Sequence, residues 1–246
     1  MILDHEKDFF IFGGISSRDY NILLMVDKSS GIFDGAERDY STSEIPGKDG
    51  ELTIDNGRWK NVTVKYHCGI GNQFRDSIRK FRERMATMIG PQRLEDSFNP
   101  EYFRMATIRK GLVNKTLYRE GKASVFDVEF SCKPQLWLKE GERAREFSGA
   151  GTLRNPTLFT AKPLLRVYGT GELYLGEHTI NITEADGYTD IDCEAEECYK
   201  DTYAINCNGN VELLSGAFPT LPPGETGIAL GTGITRVTLI PRWETR

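Results

Sequence analysis

The chain lacks most of what would announce a chemistry. Histidine is scarce: His5, His67 and His178 are scattered over 246 residues, and no H-x-x-x-H occurs. There is no G-x-S-x-G, no Walker A loop and no HExxH. The five cysteines make an odd count without dense spacing. That reads as reduced thiols made in a cytoplasm, not as a disulfide framework. No apolar run approaches the roughly 18 residues that a membrane-spanning helix needs. The opening MILDHEKDFFIFGG has no basic segment followed by an apolar one, so no signal peptide is expected. An excess of positive charge is also missing. A net charge of -5 argues against a protein that holds nucleic acid by bulk electrostatics. Helical periodicity is absent almost everywhere.

The exception is the stretch from Asn72 to Pro91. Phe74, Ile78, Phe81, Met85 and Met88 recur at helical steps and fall on one narrow stripe, so the spacing predicts a helix over 72–90 lying on a core. Asn72 suits an N-cap, and Gly90 with Pro91 suits a stop. The other face carries Arg75, Arg79, Lys80, Arg82 and Arg84 with Asp76 and Glu83. Phosphates could bind such a face. Without interleaved aromatics, a face turned to water or to a neighbour is the plainer reading. One helix in a β-rich chain covers one open sheet face.

Around the helix the text reads as strand and turn. Short strands are expected at Phe9 to Gly14 and Tyr20 to Val26. Residues 27–44 are polar, Gly- and Ser-containing and aperiodic, and read as a projecting arm or loop. Ile45, Pro46, Gly47, Lys48, Asp49 and Gly50 form a run of turn formers. A hairpin is expected from Gly50–Ile54 and Trp59–Cys68 around Asp55–Arg58, because Asn-Gly is a strong hairpin signal. Its second strand sends Val62, Val64, Tyr66 and Cys68 to one side. After the helix, residues 94–102 read as a polar connection, and Tyr102–Ile108, Gly111–Leu117 and Ala123–Ser131 as strands. These pieces make a first α+β unit over 1–134. Residues 135–156 change to charge, glycine and proline and are taken as a linker. Residues 157–246 hold short strands at regular spacing, the pattern of a β-sandwich or jelly roll.

Fragments of chemistry remain. Cys193, Cys198 and Cys207 are the nearest approach to a metal cluster, but they need an imported fourth ligand such as His178. Gly169-Thr170-Gly171 and Gly231-Thr232-Gly233 resemble parts of a phosphate loop. Neither opens a helix, so hairpin turns are the simpler reading. Asp190/Asp192 and Glu194/Glu196/Glu197 could be a glycosidase dyad or a calcium site, and equally a solvated acidic loop. Nothing points to an enzyme, a metal or a cofactor.

Five pieces in order carry a resemblance. They are Phe12-Gly13-Gly14-Ile15-Ser16-Ser17-Arg18-Asp19; Ile45-Pro46-Gly47-Lys48-Asp49-Gly50; the helix with Gly90-Pro91 and Leu94-Glu95-Asp96; Phe130-Ser131-Cys132-Lys133-Pro134; and Phe218 to Thr226 with Val237 to Trp243. Together they resemble the distal tail proteins of long, non-contractile-tailed bacteriophages. The resemblance implies a mainly β protein. Its N-terminal α+β domain would be a β-sheet or split barrel plus one helix, and its C-terminal domain a galectin-like β-sandwich. It further implies a structural, non-enzymatic role: a homo-hexameric ring at the virion tail tip, made and assembled in the bacterial host cytoplasm. The ring would join the tail tube protein to a tail-associated or tail-tip protein and to a receptor-binding protein, without binding nucleic acid or membrane. The 27–44 arm would embrace the next subunit, with Ile32 and Phe33 as anchors and Ile45 to Gly50 setting its return. The alternative function is a carbohydrate- or host-receptor-binding module housed in the second domain.

Overall fold

The computed structural model describes residues 8–25, 29–71, 74–108, 110, 113–118 and 123–246, with backbone alone at Phe74 and 113–118. Asn72, the expected N-cap, and His5 lie outside them. The chain divides into two compact units, residues 1–136 with Arg246, and Trp137–Thr245.

In the first unit the strands are β1 (Phe10–Phe12), β2 (Ile15–Ser16), β3 (Ile22–Leu24), β4 (Arg38–Glu44), β5 (Glu51–Trp59) and β6 (Val62–Ile70). After helix α1 (Phe74–Ala86) come β7 (Gln92–Asp96), β8 (Tyr102–Ile108), β9 (Val113–Tyr118) and β10 (Ala123–Cys132). The main sheet runs β2-β1-β7-β8-β10-β6-β3, and β9 pairs with the start of β10. Its long axis is the antiparallel pair β6–β10, in register from Val62↔Cys132 to Ile70↔Ser124. Alternation decides which face is buried. Val62, Val64, Tyr66 and Cys68 point inward with Phe126, Val128 and Phe130, as the pattern predicts. Residues 92–96 are a correction: they form a strand, because the single apolar Leu94 suffices to seat a short strand between β1 and β8.

Helix α1 lies on this sheet through Ile78, Phe81 and Met85, all in the core, with Met88 packed against it half-buried. Phe81 is fully buried, edge-on to Phe10 and Tyr20. The helix stops at Ala86, short of the expected residue 90. Its last turn tightens, with the Thr87 and Met88 amides bonding the Arg84 and Met85 carbonyls at 3.3 and 3.2 Å. Gly90 then turns in the left-handed region.

The expected hairpin exists in a different register. The strands are β4 and β5, and the turn is Ile45–Gly50, closed by the Lys48 amide on the Ile45 carbonyl at 3.1 Å. Asn56-Gly57 lies inside β5. Gly57 adopts positive φ, its amide bonds the Asp55 carboxylate at 2.8 Å, and the register slips there. Asn-Gly therefore makes a bulge instead of a turn. The arm is accordingly not an irregular 27–44 loop. Residues 38–44 are β4, and the stretch before them is tied to the body.

The stretch read as a linker holds β11 (Leu136–Leu138), which begins at the last residue of the first unit, and, in the second unit, β12 (Arg145–Phe147) and β13 (Gly151–Asn155). Their turn-rich composition mimics a linker, yet Leu153 is buried and β12 and β13 join two different sheets. Then follow β14 (Leu164–Gly169), β15 (Gly171–Leu175), β16 (His178–Ile182), β17 (Tyr188–Asp192), β18 (Glu197–Lys200), β19 (Thr202–Asn206), β20 (Val211–Leu213), β21 (Gly224–Leu230), β22 (Ile234–Ile240) and β23 (Glu244–Thr245). One sheet runs β12-β22-β14-β17-β18-β19 and the other β13-β21-β15-β16-β20. Their inner faces share one core, including Leu165, Val167, Ile191, Val237 and Leu239 against Leu173, Leu175, Ile180 and Ile228. This is the expected β-sandwich. The two Gly-Thr-Gly turns explain themselves here. They carry the chain from one sheet to the other (β14 to β15, β21 to β22) and interlock backbone to backbone. A Cβ on Gly169 would stand 2.1 Å from the Gly233 carbonyl oxygen, and one on Gly233 2.3 Å from that of Thr170. They are strand crossings, not phosphate loops.

Candidate assembly interface

The first unit exposes a two-stranded ribbon. β4 and β5 pair only with each other among the described residues. Nearly every residue of the ribbon is exposed, including the turn Ile45, Pro46, Gly47, Lys48, Asp49 and Gly50. A ribbon of two strands has no core of its own and is marginal in water. This one nevertheless displays Ile45, Leu52 and Ile54 at 38, 48 and 51% exposure. Cross-strand pairing sorts its sides. Ser41 and Ser43 oppose Ile54 and Leu52, giving a small-and-apolar side. Glu44 opposes Glu51, and Tyr40 opposes Asp55, giving an acidic side. Exposed apolar side chains on a self-contained ribbon mark a surface that something covers.

The two expected arm anchors part company. Phe33 is 75% exposed, whereas Ile32 is 7% exposed inside its own unit's core. Ile32 is therefore not an inter-subunit anchor. Its segment is held down by a bridge between Ser30 and Lys65, by Asn99 Nδ2 on the Ile32 carbonyl (3.4 Å) and by Arg104 on the Asp34 carbonyl (3.0 Å). Sequence reading missed this because an apolar pair in a polar loop looks the same whether it faces in or out. Of the expected helix-face residues, Ile78, Phe81, Met85 and Met88 come together, and the side chain of Phe74 lies outside the described residues.

Beside α1 runs a groove of about 650 Å³, lined by the apolar Phe12, Met85, Met88 and Ile108 and by charged Arg79, Arg82, Glu83 and Lys110. Ile89 stands next to its lining, fully open to solvent.

The second unit has a patterned outer face on its six-stranded sheet. Arg166 grips Asp190 with two bonds (2.6 and 2.9 Å), and Arg242 grips Asp192 likewise (2.6 and 3.0 Å). Burial raises the Asp192 carboxyl pKa, but the Arg242 fork and the Tyr203 hydroxyl outweigh it and hold the group at about 2. The same neighbourhood pushes Tyr203 up to about 12, through partial desolvation beside the sheet and its 2.9 Å bond to Asp192, although the side chain is largely exposed. Arg166 and Arg236 lie over the rings of Tyr188 and Tyr168, and Tyr199 packs on Tyr203. Both aspartates are thus locked in ion pairs, which is not the free acid and base that hydrolysis needs. Trp243 is buried in the sandwich core and offers no platform for a ligand.

The remaining fragments resolve as structure. Cys193 and Cys198 are core thiols pushed up by burial, Cys198 to about 12. Among the described residues no three His, Cys, Asp or Glu side chains gather as a metal site. His67 is buried against Asp127 (2.5 Å), which also pairs with Lys65 (2.9 Å). No described helix is long and apolar enough to cross a membrane.

A helix-lidded sheet with a two-stranded ribbon, and a β-sandwich, together form a fold that this chain shares with a solved phage protein. Among solved structures the chain is similar to SPP1 Dit (gp 19.1), described as a paradigm of the hub adsorption apparatus in phages infecting Gram-positive bacteria. The TM-score is 0.72 over 94% of this chain and 98% of that one, at 13% identity. At that identity the likeness is one of fold. No family model and no curated protein matches the sequence.

Proposed function

We propose that the protein is a structural, non-catalytic hub of a phage or prophage tail tip. It forms a homo-hexameric ring that joins the tail tube to the adsorption apparatus, with the galectin-like sandwich at the outside. The observation that carries this is the whole-chain fold likeness to a hub protein. The uncovered ribbon supports it, because a ring needs a head-to-tail contact between unlike surfaces. The partners on this reading are a tail tube protein, a tail-associated protein below and a receptor-binding protein. Neither membrane nor nucleic acid is among them. The place of action is the virion tail tip, after assembly in the host cytoplasm.

Native mass spectrometry and negative-stain microscopy of the full chain test this. Six-membered rings, alone or on adding a tail-tube partner, are the expected result. A strict monomer at high concentration in both settings refutes it. Leu52→Asp with Ile54→Asp should abolish rings while leaving the fold intact. Both side chains are half-exposed, so stability should move by no more than about 0.5 kcal/mol.

A second reading, recognition of a host receptor, rests on the tyrosine- and arginine-rich outer face of the sandwich. Tyr203 there is 58% exposed, and such residues dominate binding hot spots. Binding of the full chain to host cell-wall material, lost in Tyr203→Ala, would establish it. Absence of binding removes it.

A further inference from the structure

The hub reading leaves Cys193, Cys198 and Cys207 unused, and the fold brings two of them face to face. β18 and β19 pair antiparallel, with Tyr199 opposite Asn206. One rung further along, Cys207 stands opposite Cys198, and its amide donates to the Cys198 carbonyl at 2.8 Å. The ladder ends there. The Cys198 amide bonds Asn208 Oδ1 at 2.6 Å, and the chain turns off through the single helical turn Asn208–Asn210. Both cysteine side chains meet the sandwich core, Cys198 buried within it and Cys207 half-buried against it. Residues opposed on a hydrogen-bonded rung have Cα atoms about 5.5 Å apart. A disulfide bridges Cα separations of about 4.4–6.8 Å. Burial first, and then the charge of a Cys207 thiolate, push the Cys198 thiol up to about 12. Of the five cysteines, Cys207 alone is not buried.

We propose that Cys207 and Cys198 form a modification site that reacts with small-molecule disulfides and closes to a cross-strand bridge. The Cys207 thiolate attacks one sulfur of the reagent, breaks its S–S bond and expels a thiolate, which takes up the proton that Cys207 released. The Cys198 thiolate then attacks the Cys207 sulfur and expels the second small thiolate, which takes up the Cys198 proton. The two protein thiols lose two electrons, and the reagent gains them as two thiols. The second step is the slower, because the buried Cys198 is rarely ionised. The bridge has something to hold. β19 is the edge of its sheet, exposed along Thr202–Asn206, and its register with β18 slips between two pairs, Tyr199↔Asn206 and Lys200↔Thr202. A bond from Cys198 to Cys207 closes a short loop and clamps the strand that bears Tyr203. Such a pair stays reduced among cytoplasmic thiols and closes outside the cell. On the tail-tip reading, the edge is locked once the particle leaves its host. Only this timing rests on that reading.

The test treats the folded full chain with oxidised glutathione, quenches with acid and alkylates the remaining thiols in denaturant. Alkylatable thiols should fall from five to three, and dithiothreitol should restore all five. Peptide mapping without reduction should link Cys198 to Cys207, and amide exchange over Thr202–Asn206 should slow at least about tenfold. Cys198→Ala should stop at the mixed disulfide and gain the mass of one glutathione. Cys207→Ser should take up none, and Cys193→Ser should still close the bridge. Five thiols left in the treated wild type, or a bridge between Cys193 and Cys198, overturn the site without recourse to any variant. A bridge that leaves exchange unchanged overturns the clamp. None of these results depends on whether rings form, so the hub reading and this site fail separately.

Discussion

Removing the Phe81 ring separates two accounts of why α1 exists. Phe81 is fully buried, edge-on to Phe10 at 6.2 Å and to Tyr20 at 5.4 Å between ring centroids. Intrinsic propensity favours alanine over phenylalanine in a helix by roughly 0.5 kcal/mol. If local propensity held the helix, Phe81→Ala would be neutral or slightly stabilising. If the helix exists because it covers the sheet, the same change deletes a core side chain and leaves a cavity, at a cost of about 3–5 kcal/mol. The two accounts differ in sign, and the packing term is several times the larger. A loss of that size is a large share of the roughly 5–15 kcal/mol that holds a typical domain. At about 4 °C per kcal/mol it lowers the melting temperature of the first unit by some 12–20 °C. Differential scanning calorimetry reads this directly, because the sandwich has its own core and its transition should stay in place. Arg84→Ala, on the exposed face, is the control and should change stability by no more than about 0.5 kcal/mol. A Phe81→Ala protein that loses less than about 1 kcal/mol would refute the view of α1 as the lid of this core.

The other expectations concern the sandwich and the buried hydrogen bonds. The Asp192 carboxyl is held at about 2, below the ordinary 3.8, so its ion pair with Arg242 stabilises the fold above about pH 4. That contribution, about 2 kcal/mol, is lost as pH falls from 4 through 2. Urea midpoints measured across this window should fall in the wild type and flatten in Asp192→Asn. Gly233→Ala should destabilise the second unit by at least about 2 kcal/mol, because its φ is +97° and its Cβ would meet the Thr170 carbonyl oxygen. Gly149→Ala, with open space around it, should not, and thermal melts of the pair decide. Tyr66→Phe removes the 2.7 Å bond from the buried hydroxyl to Asp96 and should cost about 1.5–3 kcal/mol by chemical denaturation.

What the sequence made legible follows from how far each signal reaches. The lid helix and the alternation of β6 are local periodicities, and burial follows them over Ile78, Phe81 and Met85 and over Val62 to Tyr66. The sandwich strands were legible for the same reason, though 135–156 was not: short strands rich in Gly and charge look like a linker until their partners are known. Asn56-Gly57 was misread because the dipeptide specifies a backbone shape, positive φ, which a bulge uses as readily as a turn. The turn went to Ile45–Gly50, where Pro46, Gly47 and Gly50 together outweigh a single Asn-Gly. Ile32 and Phe33 show the limit most plainly. Adjacent side chains of like hydropathy take opposite fates, and only the tertiary contacts of Asn99 and Arg104 decide which is which. The candidate interface was half legible. Composition placed the arm at 27–44, of which only 38–44 belong to the ribbon, and the glutamate pair exists only in the cross-strand register, which no linear spacing reveals.

That register also bears on why the ribbon takes the sequence it has. A ribbon meant to stand alone in water would place opposite charges across Glu44 and Glu51 and polar residues at 52 and 54. The chain knows how to do this, since Arg38 and Asp55, and Arg58 and Asp39, are paired on the same ribbon. The facing Glu44 and Glu51 therefore cost stability in the chain by itself. Beside the helix, Arg79 pairs with Asp76, while Arg82 has no carboxylate partner among the described residues and shares the groove lining with Glu83. On the ring reading proposed above, a contact made through this ribbon should weaken as salt rises, because it turns on the Glu44 and Glu51 charges.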